Sequence, residues 1–394
     1  MTKANPMPDV DSPRGFESMR ICVDARMLGA DGTGVARYAR TLVDALTEVG
    51  ARPFLLHAEK EEGNRLKRWA ASARLSSRFA KEHQNCIVSS AEKSIVVHDV
   101  FREAQMHFDM YGRLMPIYCD GPPGLMHWTY PIPVIMRGWK NVYTIHDVIP
   151  LGESQLSPIR TNRHRRLLRA IARNADRLIT VSDSARRDIV QALRCDPSFV
   201  TNTSQAISVS SNAGTFAPVG SADDYFLFCG TIEPRKNLMR LAEAYGQSGA
   251  RRKLIIVGPD GWQGESVRRI IDRENVVLLP FQPRDRLIQL MQHARALLFP
   301  SLSEGFGLPI VEAMALGTPV MTSSGGATAE VAGTAALLVD PFDVGMMSKS
   351  IAKLDSDDAL CARLAAAGLE RSQAFRAAPY AHRVLQVYAE LLGM

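Results

Sequence analysis

The chain has 394 residues, more than one hydrophobic core usually holds, so two domains are expected. Its 46% apolar and 22% charged residues are ordinary for a soluble globular protein, and no run is long and apolar enough for a membrane-spanning helix. The formal net charge of +6 and the pI near 9.0 allow an anionic partner without choosing among nucleotide, nucleic acid and membrane surface.

Residues 1–18 are polar and contain prolines. They lack the apolar centre of a secretory signal and read as a disordered tail. From Arg20, RICVDARML reads as a first strand and GVARYARTLVDALTEVG as the helix after it, closed by Gly50. NVYTIHDVIPL is another strand running into a loop. RLITVSDSARRDIVQAL is a strand, a turn and a helix with Ser182 or Asp183 as N-cap. The polar stretch SVSSNAGTFAPVGSADD marks a domain boundary near residues 205–222. Strand–helix alternation then restarts at ADDYFLFCGTI and runs through KLIIVG, NVVLLP, ALLFP, TPVMTS and AALLVD to a helical end from about Val344. Apolar strands alternating with helices predict an α/β fold with parallel sheets, built as two Rossmann-like domains facing a cleft, with ligands at the carboxyl ends of the strands. The six cysteines (Cys22, Cys86, Cys119, Cys195, Cys229 and Cys361) share no CxxC spacing and read as reduced thiols of a cytoplasmic protein.

Three loops at predicted strand ends carry unusual residues. In GADGTGVARY, Gly32 and Gly34 flank Thr33 just before a helix, where backbone N–H groups and the helix dipole can meet an anion. Neither a P-loop nor GxGxxG is matched, and a tight turn with no ligand is the alternative. In CGTIEPRKNL, Arg235 and Lys236 sit together before a helix, opposing its dipole by about 0.3–1 kcal/mol per charge. A bound anion such as phosphate removes that conflict, and a solvated pair is the alternative. In SEGFGLPIVEAM, Glu304, Gly305, Phe306, Gly307 and Leu308 form a loop that leads into a helix, with Pro309 suited to its first turn. Glu312 lies one turn in. Two carboxylates and the backbone N–H groups of residues 305–308 suit a hydroxyl-rich ligand. The alternative, in which Glu312 only complements the helix dipole and Glu304 is a surface residue, leaves the glycines unexplained. Phosphates for Arg235 and Lys236 together with hydroxyls for Glu304 and Glu312 describe a nucleoside diphosphate sugar.

EGFGLPIVEAMALGTPV, preceded by FPS and by GTIEPRKNL, resembles the signatures of the group 1 (family four) retaining glycosyltransferases of GT-B fold, and bacterial mannosyltransferases of polysaccharide and lipopolysaccharide biosynthesis among them. GTGVARYARTL, TIHDVIPL and AEVAGTAALLVDP are similar to further signatures, and the resemblance spans roughly residues 20–392. It implies residues 19–212 as an acceptor domain, 213–374 as a nucleotide-sugar domain, and 375–394 as a helix packing back on the first. It implies Glu312 on the ribose, Glu304 facing the transferred sugar, Arg235 and Lys236 on the diphosphate, Gly34 near the same phosphates and His146 near the sugar. His127 in LMHWTYPIP is a rival to His146, with Trp128 and Tyr130 as an aromatic wall for the acceptor. The donor expected is GDP-mannose. The acceptor expected is a glycan or polyprenyl-linked glycan.

No cofactor and no metal are expected. DVD (Asp9, Asp11) falls in the tail and DSD (Asp355, Asp357) between helices, neither of which suits a metal-binding DxD. Two basic stretches, residues 64–81 and 160–177, suit either a solvated face or an anionic membrane surface at the inner face of the cytoplasmic membrane. Only Trp69 and Phe79 are interleaved with the basic residues, which speaks against a nucleic-acid partner. A nucleotide-sugar epimerase on the same fold and a non-catalytic nucleic-acid or membrane binder are the competing readings.

Overall fold

The computed structural model describes residues 19–29, 33–59, 85–89, 94–152, 159–209, 225–271 and 275–394. The expected tail with Asp9 and Asp11, Gly32, the basic stretch of residues 64–81 and most of the expected linker lie outside the described residues. The described residues form two compact units. One takes the chain up to Thr144 with Arg173–Arg177 and Tyr380–Met394, and the other takes Ile145–Ala172 with Leu178–Pro379.

The first unit contains β1 (Ile21–Asp24), α1 (Gly34–Glu48), β2 (Phe54–Glu59), β3 (Asn85–Ser89), β4 (Ser94–His98), α2 (Val100–Tyr111), β5 (Met115–Cys119), β6 (Leu125–Trp128), β7 (Val134–Met136) and β8 (Lys140–Thr144). These strands lie in the order β8-β6-β1-β2-β4-β3-β5-β7, and among the described pairs only β3–β4 is antiparallel. Every residue of β1 is buried, as an interior parallel strand covered by helices on both faces requires. Thr33 caps α1 by accepting the Ala36 N–H at 3.1 Å, and the helix turns Tyr38, Leu42 and Leu46 inward.

The second unit contains α3 (Thr161–Ala172), β9 (Arg177–Thr180), α4 (Asp183–Leu193), β10 (Val200–Asn202), β11 (Tyr225–Cys229), α5 (Leu238–Gln247), β12 (Lys253–Val257), α6 (Gly264–Ile271), β13 (Val276–Leu279), α7 (Arg284–Gln292), β14 (Ala296–Phe299), α8 (Leu308–Ala315), β15 (Val320–Ser323), α9 (Gly326–Ala332), β16 (Leu337–Val339), α10 (Val344–Ser356) and α11 (Asp358–Ser372). Its six-stranded sheet is parallel throughout, in the order β13-β12-β11-β14-β15-β16. The order reverses between β11 and β14, which opens a crevice at the carboxyl ends of these two strands. The loops holding Arg235, Lys236 and Glu304 leave the sheet there.

The compact units do not part at the polar stretch near 205–222. Residues Leu178–Asn202 group with the second unit because α4 is anchored there. The N–H groups of Asp183 and Ser184 each donate to the Glu330 carboxylate at 2.7 Å, and the Ser182 hydroxyl donates to the Gly305 carbonyl at 2.8 Å. A polar stretch reports where backbone meets water, and packing divides elsewhere. Ser182 is the N-cap, accepting the Ala185 N–H at 3.0 Å.

The last helix, α12 (Ala377–Leu392), lays Tyr380 edge-on to Tyr38 and Tyr388 edge-on to His127, all buried within the first unit. Phe375, just before it, packs on Phe306 in the second unit.

Candidate active site

Two loops build the site. After β11 the chain makes a single turn of 3-10 helix, Pro234–Lys236, and Asn237 takes a left-handed conformation at φ +60° to enter α5. The Asn237 amide donates to the carbonyls of Pro300 and Pro341, at 3.1 and 2.6 Å. The Leu302 N–H donates to the Arg235 carbonyl at 2.8 Å. These bonds fix the loop after β11 against the loop after β14.

Glu304 joins them by charge. Its two oxygens accept from different cations, Oε2 from Arg235 Nη1 at 2.6 Å and Oε1 from Lys236 Nζ at 2.5 Å. Arg235 also meets Glu233 at 2.6 Å and donates to the Ser303 carbonyl at 3.3 Å. Lys236 is only 7% exposed and sits over the Phe299 ring at 4.8 Å. Burial works against ionisation of Glu304, but Lys236 and Arg235 outweigh it and hold the carboxyl down at about 2. Burial lowers the Lys236 ammonium, with Glu304 opposing. The anion expected between the two cations is therefore already present as Glu304. The Ser301 hydroxyl adjoins the same carboxylate and also favours its ionised form.

Gly305 and Gly307 each have a separate reason. A Cβ on Gly305 would lie 2.5 Å from the His146 carbonyl and 3.2 Å from Asp147 Cβ, so only glycine fits beside that segment. Gly307 has φ +105° and starts α8. Phe306 and Leu308 bury their side chains, so their backbone N–H groups are what they can bring to a ligand. Asp147, in the TIHD segment but not singled out by sequence, faces the cluster. Burial pushes its carboxyl up, against Arg235 and Lys236 and with Glu304.

Glu312 is 2% exposed in the first turns of α8, and its Oε1 lies 2.8 Å from Arg284 Nη2. Arg284, which sequence reasoning missed, also donates to the Ser208 carbonyl at 3.1 Å. It stands at the start of α7, against the dipole, the same signal that drew attention to Arg235 and Lys236.

Other expected residues fall elsewhere. Gly34 is the first residue of α1, in the first unit. His127 is fully buried, its Nδ1 bonded to the Tyr388 hydroxyl and its Nε2 to Thr144 Oγ1 at 2.7 Å. With both nitrogens engaged in the core, it does not rival His146. Trp128 is also fully buried, stacked on Tyr143 and donating to Asn141 Oδ1 at 3.1 Å, so it is no acceptor wall. Asp355 pairs with Arg252 at 2.9 Å and Asp357 caps α11 by accepting the Leu360 N–H at 2.8 Å. Along α3, Leu167, Leu168 and Ile171 are buried, while Arg166, Arg169 and Arg173 are exposed on and just after the helix. Among the described residues no helix is long and apolar enough to cross a membrane.

Comparison with known proteins agrees with this layout. The Glycosyltransferase Family 4 model matches residues 32–202 and the Glycosyl transferases group 1 model matches residues 217–371. O-antigen chain mannosyltransferase B of Escherichia coli is 31% identical over 255 residues, 60% of this chain and 66% of that protein. Serotype-specific mannosyltransferase WbdA of Escherichia coli is 28% identical over 286 residues, 67% of this chain and 35% of WbdA. The chain thus spans just under two thirds of the first relative and about a third of the second. Sucrose-phosphate synthase from Thermosynechococcus elongatus superimposes with a TM-score of 0.68 at 20% identity, over 95% of this chain and 99% of that one. Anabaena HepE in complex with UDP and glucose gives a TM-score of 0.66 at 17% identity, over 94% and 100%. The fold is α/β of the GT-B class with two Rossmann-like domains.

Proposed function

The chain belongs to the group 1 glycosyltransferases, and on that premise we propose that it moves a hexosyl residue, mannose in preference, from a nucleoside diphosphate sugar to a glycan or polyprenyl-linked acceptor of a surface polysaccharide. The observation that carries the reading is the cluster of Arg235, Lys236 and Glu304 at the strand-order reversal between β11 and β14. Arg235 and Lys236 bind the diphosphate and stabilise the charge that grows on it as the sugar departs. Glu304 orients both cations and offers its remaining lone pairs to sugar hydroxyls. Glu312, held by Arg284, takes the ribose hydroxyls. The backbone N–H groups of Gly305, Phe306, Gly307 and Leu308 and of Gly34 serve the phosphates, and His146 serves the transferred sugar.

The transfer retains configuration. The bond between the anomeric carbon and the phosphate oxygen breaks, and its electron pair leaves with the diphosphate. The acceptor oxygen forms the new bond on the same face and passes its proton to that phosphate. In this reading Glu304 orients the two cations, a role that its pairing with both of them favours, and is not the nucleophile. The two cations supply the charge that a divalent ion supplies in DxD enzymes, so the reaction runs without metal. Mannose is supported by the names of the curated relatives, and a place in O-antigen or other surface polysaccharide synthesis by the first of them, whereas the GDP donor rests on the sequence resemblance alone. The protein acts in the cytoplasm, with the exposed arginines at α3 resting on the inner membrane face.

Thermal stabilisation by GDP, UDP, ADP and dTDP tests the donor site, repeated with Glu312→Ala and Arg235→Ala. A nucleotide at 100 times its Kd adds about 2.7 kcal/mol to folding stability. Stabilisation by GDP that both substitutions abolish is expected. No response to any nucleotide overturns the reading.

A further inference from the structure

The carboxyl ends of the parallel strands in the first unit hold a second cationic group, away from the sequence motifs. Arg26 follows β1, Tyr130 follows β6, and Phe101 opens α2 directly after β4. The Arg26 guanidinium lies over the Phe101 ring at 5.5 Å and over the Tyr130 ring at 5.2 Å, and it donates to the Tyr130 hydroxyl. Its side chain is nonetheless exposed. Among the described residues its side chain makes no other hydrogen bond, which leaves most of its five N–H donors available to a ligand.

An arginine on a surface normally samples many rotamers, and binding a ligand then carries an ordering cost. Two rings and a hydroxyl have removed that cost here. What remains is a planar fork fixed at the ligand-binding edge of an α/β sheet, the geometry that matches a phosphate or a carboxylate with two parallel bonds. Buried Asp24, at the end of β1, accepts the Thr129 N–H and offers Arg26 a neighbouring negative charge. That charge helps to keep the guanidinium in place but uses none of its remaining donors.

We propose that Arg26, clamped by Phe101 and Tyr130, binds an oxyanion carried by the acceptor, so that the acceptor is an anionic sugar or a sugar beside a phosphate. This rests on the transfer reaction proposed above and on the acceptor role that the family resemblance implies for residues 19–212. It adds the class of acceptor, which no motif indicates. Phosphate and carboxylate share the required chemistry, and the probes below separate them.

The test measures binding of mannose 6-phosphate, methyl glucuronide and methyl α-mannoside to the full chain by calorimetry at low salt. Arg26→Gln and Arg26→Lys are measured alongside. At least one anionic probe is expected to bind tenfold or more tightly than the neutral mannoside. Arg26→Gln should abolish that advantage, and Arg26→Lys should restore only part of it, because lysine keeps the charge and loses the fork. If phosphate and uronate differ, the tighter one names the source. Equal binding of anionic and neutral probes by the unsubstituted protein overturns the proposal, as does no binding of either anion, or an advantage that survives Arg26→Gln. Melting of each variant separates a folding defect from a binding defect. Nucleotide-induced stabilisation of the unsubstituted protein reports the donor site independently, so loss of that signal sinks the donor reading while the sugar probes still decide on Arg26.

Discussion

The carboxylate of Glu304 lies 2.5 Å from the ammonium of Lys236, and both side chains are largely buried where the strand order reverses. Neither group is stable there alone. Each offsets part of the other's desolvation penalty, and Arg235 shares the same carboxylate.

Removing the carboxylate should therefore unfold more than it disarms. Glu304→Ala leaves Lys236 and Arg235 without their shared partner and is expected to cost roughly 3 kcal/mol in urea denaturation. Lys236→Met beside Glu304→Ala should cost less than the sum of the two single changes, by about 0.5–3 kcal/mol. Strict additivity would mean that the contact contributes nothing to stability.

Two carboxyls give stability opposite slopes with pH. Asp24 is raised by burial from 3.8 to about 6. The folded chain then holds a proton that the unfolded chain releases, so stability falls as pH rises from about 4 to 6, by roughly 3 kcal/mol. Glu304 is held at about 2, below its ordinary 4.5, so its contribution is present above that ordinary value and is lost as pH falls through about 2. Asp24→Asn should flatten the slope between pH 4 and 6 and leave the acid limb unchanged. Melting temperatures across pH 2 to 7 check both.

Gly305→Ala drives a Cβ to 2.5 Å from the His146 carbonyl. Relief requires backbone movement in the loop that carries Glu304, at a cost of about 1–3 kcal/mol. The variant should also lose nucleotide-induced stabilisation. A variant that melts and binds like the unsubstituted protein would show that the two segments do not meet as described.

The two histidines should separate cleanly. His127→Ala removes two buried hydrogen bonds and should cost about 2–4 kcal/mol, with turnover per folded molecule nearly unchanged. His146→Ala should leave melting nearly unchanged and lower turnover by about 100-fold. The opposite pattern would return His127 to the reaction.

The alternating α/β architecture is legible in the residues alone, because apolar strands such as ICVD and YFLFC and amphipathic helices carry their pattern locally. The sequence also locates the loops at 235–236 and 304–312, because glycines and paired charges at helix starts are costly without a purpose. Strands β2 to β7 are absent from the reading along the chain. They are no shorter than the legible strands, but polar residues such as His57, Glu59 and Pro116 interrupt their apolar runs. Which distant residues meet is set by the folded chain. It joined Glu304 to Arg235 and Lys236 across 68 and more residues, put Arg284 on Glu312, and closed His127 and Trp128 into the core. It also grouped α4 with the second unit through Glu330. Period and propensity are local properties of a chain, whereas ion pairs, burial and close backbone approach depend on which distant segments the sheet order brings together.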